Sequence, residues 1–335
     1  MIRFVARRVL FSVAVLWGVT LVTFFLARVA PGDPARLIAG PRANAEALAN
    51  VRALYGLDQP LPAQYARYLA DLLHGDLGMS FVTRRPVTVD LATYLPATLE
   101  LTLISLAFGA TVGVGLGVVS AFRRGSIVDG VSRFVAIGGL SVPAFWLAMF
   151  LQLIVYSRLQ MLPFGGRLDI GMTAPPFHTG LMTVDSLLAA QPATFVAALR
   201  HLVLPVLTLS LAEIGLMARV VRTSVLETVG EDFIRTARAK GLTEARVILR
   251  HTLRNALLPA VTVLGLEAAL LAGGVFVVET VFAWPGIGRY AFDAIRATDY
   301  NAIMGVTLVI GVAYVTINLA VDVAYAALDP RIRYT

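Results

Sequence analysis

The chain has 335 residues, 58% of them hydrophobic and 15% charged, with a mean hydropathy of +0.77. A soluble domain runs at about 45–50% apolar and about 25% charged, so this composition excludes an ordinary soluble enzyme or binding module. The absence of cysteine excludes disulfides, zinc–thiolate sites and cysteine nucleophiles. The net charge of +7 is read as cationic loops on one side of a membrane, not as a nucleic-acid surface, because no soluble basic domain accompanies it.

Six apolar runs are long enough to cross a hydrocarbon core of about 30 Å at about 1.5 Å per residue. The first, 9–27, follows a basic start of Arg3, Arg7 and Arg8. It is longer than a signal-peptide core and no A-x-A site follows, so it is read as a retained helix within an N-terminal segment 1–30 rather than a cleaved leader. A long loop, 31–97, comes next. Within it Ala45–Tyr55 and 62–73 have helical apolar spacing, separated by Gly56, Pro60 and Pro62. Two short helices over the membrane face are expected, the alternative being a solvated linker.

The rest of the chain, 98–328, holds five further runs. The second, 101–122, carries Gly109, Gly113 and Gly117, a small-residue stripe suited to close helix packing. The third is 134–157. Residues 181–199 contain Asp185, Gln191 and Pro192 and are too weakly apolar to carry them across, so they are read as an interfacial or external helix. The fourth run, 201–218, contains Glu213; the fifth, 256–278, Glu267; the sixth, 302–328, Asp322. Each acid either lines a polar pathway or makes a structural hydrogen bond between helices.

With six crossings and a cytoplasmic N-terminus, segments 1–8, 123–133, 219–255 and 329–335 lie inside and hold 16 of the 28 Lys and Arg in about a fifth of the chain. Both termini, including the tail 329–335, are therefore expected in the cytoplasm.

The longest inner loop holds the segment 230–254. Gly230 punctuates the chain, and Glu231 and Asp232 place acids in a first helical turn. Phe233, Ala237 and Lys240/Gly241 share a face with Ile234 beside them, while Arg235 and Arg238 lie around the rest. Gly241 can end this helix in a left-handed conformation and Thr243 can cap a second one. Such a hairpin either docks in a groove of a soluble partner or rests as a basic interfacial helix on anionic lipid. No G-x-x-x-x-G-K-[ST] occurs, so the chain has no P-loop of its own. The histidines His74, His178, His201 and His251 do not suggest a shared metal site, and no H-E-x-x-H is present.

After the fifth run, Glu279 leads to Phe282, Trp284, Pro285, Gly286 and Gly288. Pro285 and Gly286 favour a tight turn, and Trp284 suits a membrane interface. This is either an interfacial turn anchored by tryptophan or a loop dipping into an outer mouth.

At these residues the chain resembles the membrane permeases of bacterial dipeptide/oligopeptide ABC importers. Arg235-Thr236-Ala237-Arg238-Ala239-Lys240-Gly241-Leu242 is similar to that family's version of the importer EAA loop, with Arg235 where the general pattern has Glu. The ordered set continues with Arg28-Val29-Ala30-Pro31-Gly32-Asp33-Pro34, Leu57-Asp58-Gln59-Pro60, Gly75-Asp76-Leu77-Gly78, Ser141-Val142-Pro143-Ala144-Phe145-Trp146, Glu279 to Gly288, and Asp329-Pro330-Arg331-Ile332-Arg333-Tyr334. The resemblance implies an all-α polytopic protein of six transmembrane helices with the type I, MetI-like permease fold and cytoplasmic coupling helices, in a bacterial inner membrane. It implies a second homologous permease, two ATPases that bind ATP and Mg, an external binding protein and a peptide substrate, with no cofactor or catalysis in this chain. Residues 233–238 and 240–242 become the ATPase-coupling set. Glu213, Glu279, Phe282, Trp284, Pro285, Gly286 and Gly288 become the pathway and gate set. Against an ion-coupled secondary transporter stands the absence of an inverted hydropathy repeat, and against an intramembrane protease the absence of a catalytic constellation.

Overall fold

The computed structural model describes residues 2–29, 34–40 and 42–328, and among them it is helical, with one isolated bridge between Met79 and Pro86 as the only extended pairing. Chain order is α1 (Ile2–Val29), α2 (Pro34–Ala39), α3 (Ala45–Tyr55), α4 (Leu61–Leu73), α5 (Val87–Phe122), α6 (Ile127–Ser141) and α7 (Ala144–Leu151), the last widening into a π-helix at Gln152–Arg158. Then come α8 (Met182–Leu188), α9 (Pro192–Val229), α10 (Asp232–Ala239), α11 (Glu244–Arg246), a π-turn at Val247–Thr252, α12 (Leu253–Ala256), α13 (Leu258–Gly274), α14 (Phe276–Val281), α15 (Ile287–Arg296) and α16 (Tyr300–Leu328).

Arg7–Arg28, Val87–Phe122, Pro192–Val229 and Tyr300–Val323 are each long and apolar enough to cross a membrane unbroken. The third and fifth expected crossings are bent pairs. Ile127–Ser141 and Ala144–Arg158 meet at 106°, and Glu244–Ala256 and Leu258–Leu271 at 49°. Counting each pair once gives the six expected crossings. The break in the third falls at Val142-Pro143, where Pro143 has no N–H to give and Val142 turns extended with ψ of 120°. The weakly apolar segment 181–199 is divided. Its first part is α8, too short to cross, and after Ala190 takes a positive φ of 51° Pro192 opens α9. The two expected helices in the loop are α3 and α4, separated by Gly56 at φ 64°. The motif residues 30–33 and 329–334 lie outside the described residues.

The chain forms two compact units. In the first, residues 1–95 with 290–315, the end of α1 packs on α4. The Phe24 ring lies 5.2 Å from Tyr65 and 5.7 Å from Tyr68, and Ala27, Tyr300 and Met304 are buried beside them. Two buried carboxylates organise the turn after α4. Asp299 accepts from Ser80 Oγ at 2.6 Å and from Phe81 N at 2.8 Å. Asp90 accepts from Thr83 Oγ1 and from the Tyr290 hydroxyl and pairs with Arg85 at 2.6 Å. Burial and the Asp90 hydrogen bond push the Tyr290 phenol well above its ordinary range.

In the second unit, 96–289 with 316–335, α9 is the central helix. The glycine stripe does what its spacing suggested. Gly113 and Gly117 face Met217, Ala218 and Val221 of α9 with no room for a β-carbon. Gly139 of α6 and Gly215 of α9 each sit against the other helix's backbone, at Leu211 O and Ala136 O. One end of this bundle is clamped by Asp129, which accepts from Ser120 Oγ at 2.6 Å, Gly125 N at 3.0 Å and Arg222 Nε at 2.8 Å. Neighbouring glycines provide an internal control. A methyl at Gly139 meets the Leu211 carbonyl, whereas one at Gly138 meets nothing within 4 Å. Gly139→Ala is expected to cost about 1–3 kcal/mol of overpacking and Gly138→Ala to be neutral or slightly stabilising, read as thermal unfolding of the purified protein in detergent.

Candidate functional site

The segment 231–256 folds as a tight helical hairpin. Glu231 is extended and precedes α10, Lys240 follows it, and Gly241 turns the chain at φ 74°. A β-branched side chain tolerates that φ poorly. Gly241 has open space around it, so its backbone rather than crowding demands glycine. The hairpin has its own small core of Ile234, Ala237 and Val247, with Leu242 against it. Across the outside, Arg238 pairs with Glu244 at 2.8 Å, and Arg235 reaches back to Asp232 at 3.1 Å.

Two details differ from the sequence expectation. Ile234, not Phe233, is the inward partner of Ala237: Ile234 is fully buried and Phe233 is 43% exposed. The i, i+3 pair points at Val247, which rotates Phe233 outward. Thr243 holds the cap position with extended backbone, but its side chain makes no cap bond. Phe233, Arg235, Thr236, Lys240 and Gly241 are all solvent-facing. An exposed aromatic among arginines on a braced helix is a ready contact surface. The second arm of the hairpin is also the start of the fifth crossing, reached through the 49° bend before Pro259.

The segment Glu279 to Gly288 lies in the interior of the second unit. Trp284 is 1% exposed and donates from Nε1 to Ala97 O at 2.9 Å. It sits in a core with Leu101, Leu202, Val278 and Phe282, rather than at a lipid interface. Its neighbour Ala283 has a positive φ of 48°, which lets the chain turn inward there. Glu279 is fully buried and accepts from Thr98 Oγ1 at 2.5 Å and from Arg289 N at 3.0 Å, while Thr98 Oγ1 accepts from Ile287 N at 2.8 Å. Gly286 and Gly288 leave room for that carboxylate, since a β-carbon on either would collide with it. Pro285 stands between Trp284 and Gly286, whose N–H donates to Trp284 O at 2.9 Å.

Residues that the sequence did not single out complete this latch. Gln152 Nε2 donates to Val281 O and Phe164 O, and Gly166 N donates to Phe282 O at 2.8 Å. Arg167 pairs with Glu100 at 2.5 Å, donates to Gly180 O, and lies 5.7 Å over the Trp284 ring. Glu100 also accepts from Thr183 N and Oγ1, both at 2.7 Å. His201 Nδ1 is 2.9 Å from Gly165 O, and its Nε2 is 3.2 Å from Asp169. Asp185 caps the 178–185 turn. Burial pushes its carboxyl up, but bonds from Thr179, Gly180 and His178 outweigh it and hold the carboxyl below its ordinary value. The available signal was an acid, Glu100, at the edge of an apolar run, and a lone Arg167 behind Gly165-Gly166.

Glu213 lies inside the α5–α9 contact, 1% exposed, with its carboxyl filling the space left by Gly109. It is therefore enclosed by helices of this chain and does not line a surface. Among the described residues no group of three or more His, Cys, Asp or Glu is arranged to hold a metal.

Sequence models of two families match the chain: the N-terminal membrane component of binding-protein-dependent transport systems over residues 1–102, and the inner membrane component of the same systems over 113–334. The chain belongs to this family of ABC importer permeases. It is 46% identical over 96% of its length to the probable D,D-dipeptide transport system permease DdpB of Escherichia coli K12, covering 94% of that protein. It is 41% identical to the dipeptide transport permease DppB of Alkalihalophilus pseudofirmus and 40% identical to the glutathione transport permease GsiC of Shigella flexneri, over the full length of both partners in each case. Among solved structures, the inward-facing methionine ABC transporter MetNI matches with a TM-score of 0.47 and 18% identity over 70% of this chain and 93% of that one. By its family and its long apolar helices, the permease is an all-α, multi-pass inner-membrane protein.

Removing the Glu279 carboxylate strands two buried donors, Thr98 Oγ1–H and Arg289 N–H. Each stranded group costs about 1–3 kcal/mol. Glu279→Ala is expected to lower the thermal midpoint of the purified permease markedly. Glu279→Gln, which keeps one acceptor oxygen, is expected to fall between Ala and wild type.

Proposed function

We propose that this permease forms half of the translocation pathway of an ATP-driven importer of di- or oligopeptides. It pairs with a second homologous permease and receives ATPase motion through the hairpin around α10. The observation that carries the coupling role is mechanical. α10 presents Phe233, Arg235, Thr236 and Lys240 outward, is braced by Ile234, Ala237 and Val247, and its hairpin leads through the 49° bend into the fifth crossing. A push on α10 then moves that crossing as a lever, because a small packed core transmits displacement instead of absorbing it. ATP and Mg belong to two partner ATPases, and an external binding protein delivers substrate. The names of the relatives, which include dipeptide and glutathione permeases, support a small peptide as cargo.

The 279–288 latch takes a positioning role in this reading. It ties the end of the fifth crossing to α5, to the π-turn at Gln152 and to the 164–167 loop. Movement of α13 and α14 is therefore passed to the segments packed around Trp284, which would couple the lever to the outer gate.

In reconstituted vesicles holding the complete importer, Gly241→Val is expected to abolish ATP-dependent peptide uptake while leaving the permease in the membrane. Uptake at the wild-type rate would remove the hairpin from the mechanism. Sidedness has its own test. The natural chain has no cysteine, so single cysteines at Arg124 and Thr243 should react with impermeant maleimide only from the cytoplasm, and those at Asp58 and Thr173 only from outside. Cytoplasmic labelling of Thr173→Cys would overturn the six-crossing topology.

A further inference from the structure

The first unit contains a pocket lined by none of the hairpin or 279–288 residues. It encloses about 280 Å³ between the end of α1, α4, the 76–81 turn and the start of α16. Its walls are aromatic and apolar, from Phe24, Tyr68, Phe81 and Met304. Its rim carries both signs of charge: Arg28 and Arg67 on one hand, Asp71 and Asp76 on the other. Asp76 is held in place by the Gly78 N–H at 2.8 Å.

Two buried polar groups of the lining lack partners. Gln64 is 9% exposed, and its Nε2 is committed to Gln59 O at 2.8 Å and Leu57 O at 3.3 Å, so its Oε1 has no donor. Tyr300 is 7% exposed and its hydroxyl has no partner. Buried polar atoms are nearly always paired in a finished structure. An acceptor and a hydroxyl left over in one cavity indicate a ligand with polar hydrogens and oxygens of its own.

The position of the pocket narrows the ligand. Phe24, Ala27 and Arg28 form the last turn of one membrane crossing, and Tyr300, Asn301 and Met304 the first of another. The cavity therefore lies where crossings leave the hydrocarbon, at the level of lipid headgroups. Just along α1, Leu21, Val22, Phe25 and Leu26 are exposed and apolar, a surface suited to acyl chains.

We propose that this pocket binds the headgroup of a zwitterionic aminophospholipid, one that carries a phosphate and a primary ammonium. Arg28 and Arg67 take the phosphate oxygens, for which the guanidinium fork is well shaped. Asp71, Asp76 and the Gln64 oxygen take the ammonium hydrogens, by charge-assisted hydrogen bonds at the carboxylates. An anionic lipid without the ammonium leaves the two carboxylates facing a phosphate, so the selectivity arises from repulsion as much as attraction. The site stands apart from the identity of the transported substrate.

The test is native mass spectrometry of the purified transporter complex containing the full-length chain. Phosphatidylethanolamine and phosphatidylglycerol of matched acyl chains are added in turn, with free phosphoethanolamine and dialanine as soluble competitors. Phosphatidylethanolamine is expected to bind about tenfold more tightly than phosphatidylglycerol, the scale of one charge-assisted contact. Asp71→Asn should bring that ratio toward one, and Arg67→Ala should weaken both lipids by about tenfold. Both positions are exposed, and the lipid ratio is independent of the folded fraction. Equal binding of the two lipids by the wild type, or an unchanged ratio in Asp71→Asn, overturns the proposal. Displacement of the lipid by either soluble competitor at equal concentration overturns it as well, because the ligand is then a free zwitterion.

Discussion

The second unit depends on how closely α9 can approach its neighbours. Between helices in lipid there is no hydrophobic force to draw apolar faces together, so association rests on van der Waals contact and hydrogen bonds. The missing β-carbons of Gly113, Gly117, Gly139 and Gly215 let α5 and α6 meet α9 nearly backbone to backbone. That contact fixes the position of everything α9 carries, including His201 at one end and Arg222 at the other. It also makes room for Glu213, whose carboxyl sits in the hollow opposite Gly109 with neither oxygen hydrogen-bonded among the described residues.

On that frame two groups of polar residues close on one another. Asp129 with Ser120, Gly125 and Arg222 locks one end of the bundle. Around Trp284, Thr98 and Glu279, with Glu100 and Arg167 beside them, join α5 to the end of the fifth crossing. In a medium of low dielectric such sets hold firmly when complete and are costly when broken. The latch is therefore stiff. The hairpin 231–256 is built differently. It has a four-residue core and two surface ion pairs, and its strength lies in geometry set by Gly241 rather than in buried charge.

The first unit follows other rules because much of it is outside the crossings. Asp90 and Asp299 are fully buried, yet each is surrounded by donors from the 80–85 turn, so a short irregular loop is held as tightly as a helix. Beside this ordered turn the end of α1, α4 and the start of α16 enclose a cavity with unmatched polar atoms. The Asp90 and Asp299 carboxylates are bonded or ion-paired by that turn, whereas the Gln64 oxygen in the cavity has no donor.

Much of this was legible in the sequence. Apolar run length located the crossings, glycine and proline marked the ends of α3 and α4, and four-residue glycine spacing identified the packing face of α5. These are local properties: chain periodicity and backbone freedom act within a few residues. The sequence also announced the hairpin, because Gly241 and the acids before α10 are signals read at short range. What it could not reveal was which side of a helix meets which partner. Phe233 and Ile234 are adjacent and both apolar, and only Val247 decides that Ile234 turns inward. Trp284 looked suited to an interface by residue type, and became a core residue because Ala97, 187 residues away in α5, offers its carbonyl. Glu100, Gln152 and Arg167 carry no motif, since their partners come together only when α5, α7 and the 164–167 loop fold against one another. The sequence alone determined the class of protein, through composition and length, and located its six long apolar runs. Which polar residues close on each other was decided by tertiary structure, because a buried hydrogen bond depends on distances between helices that no local pattern records.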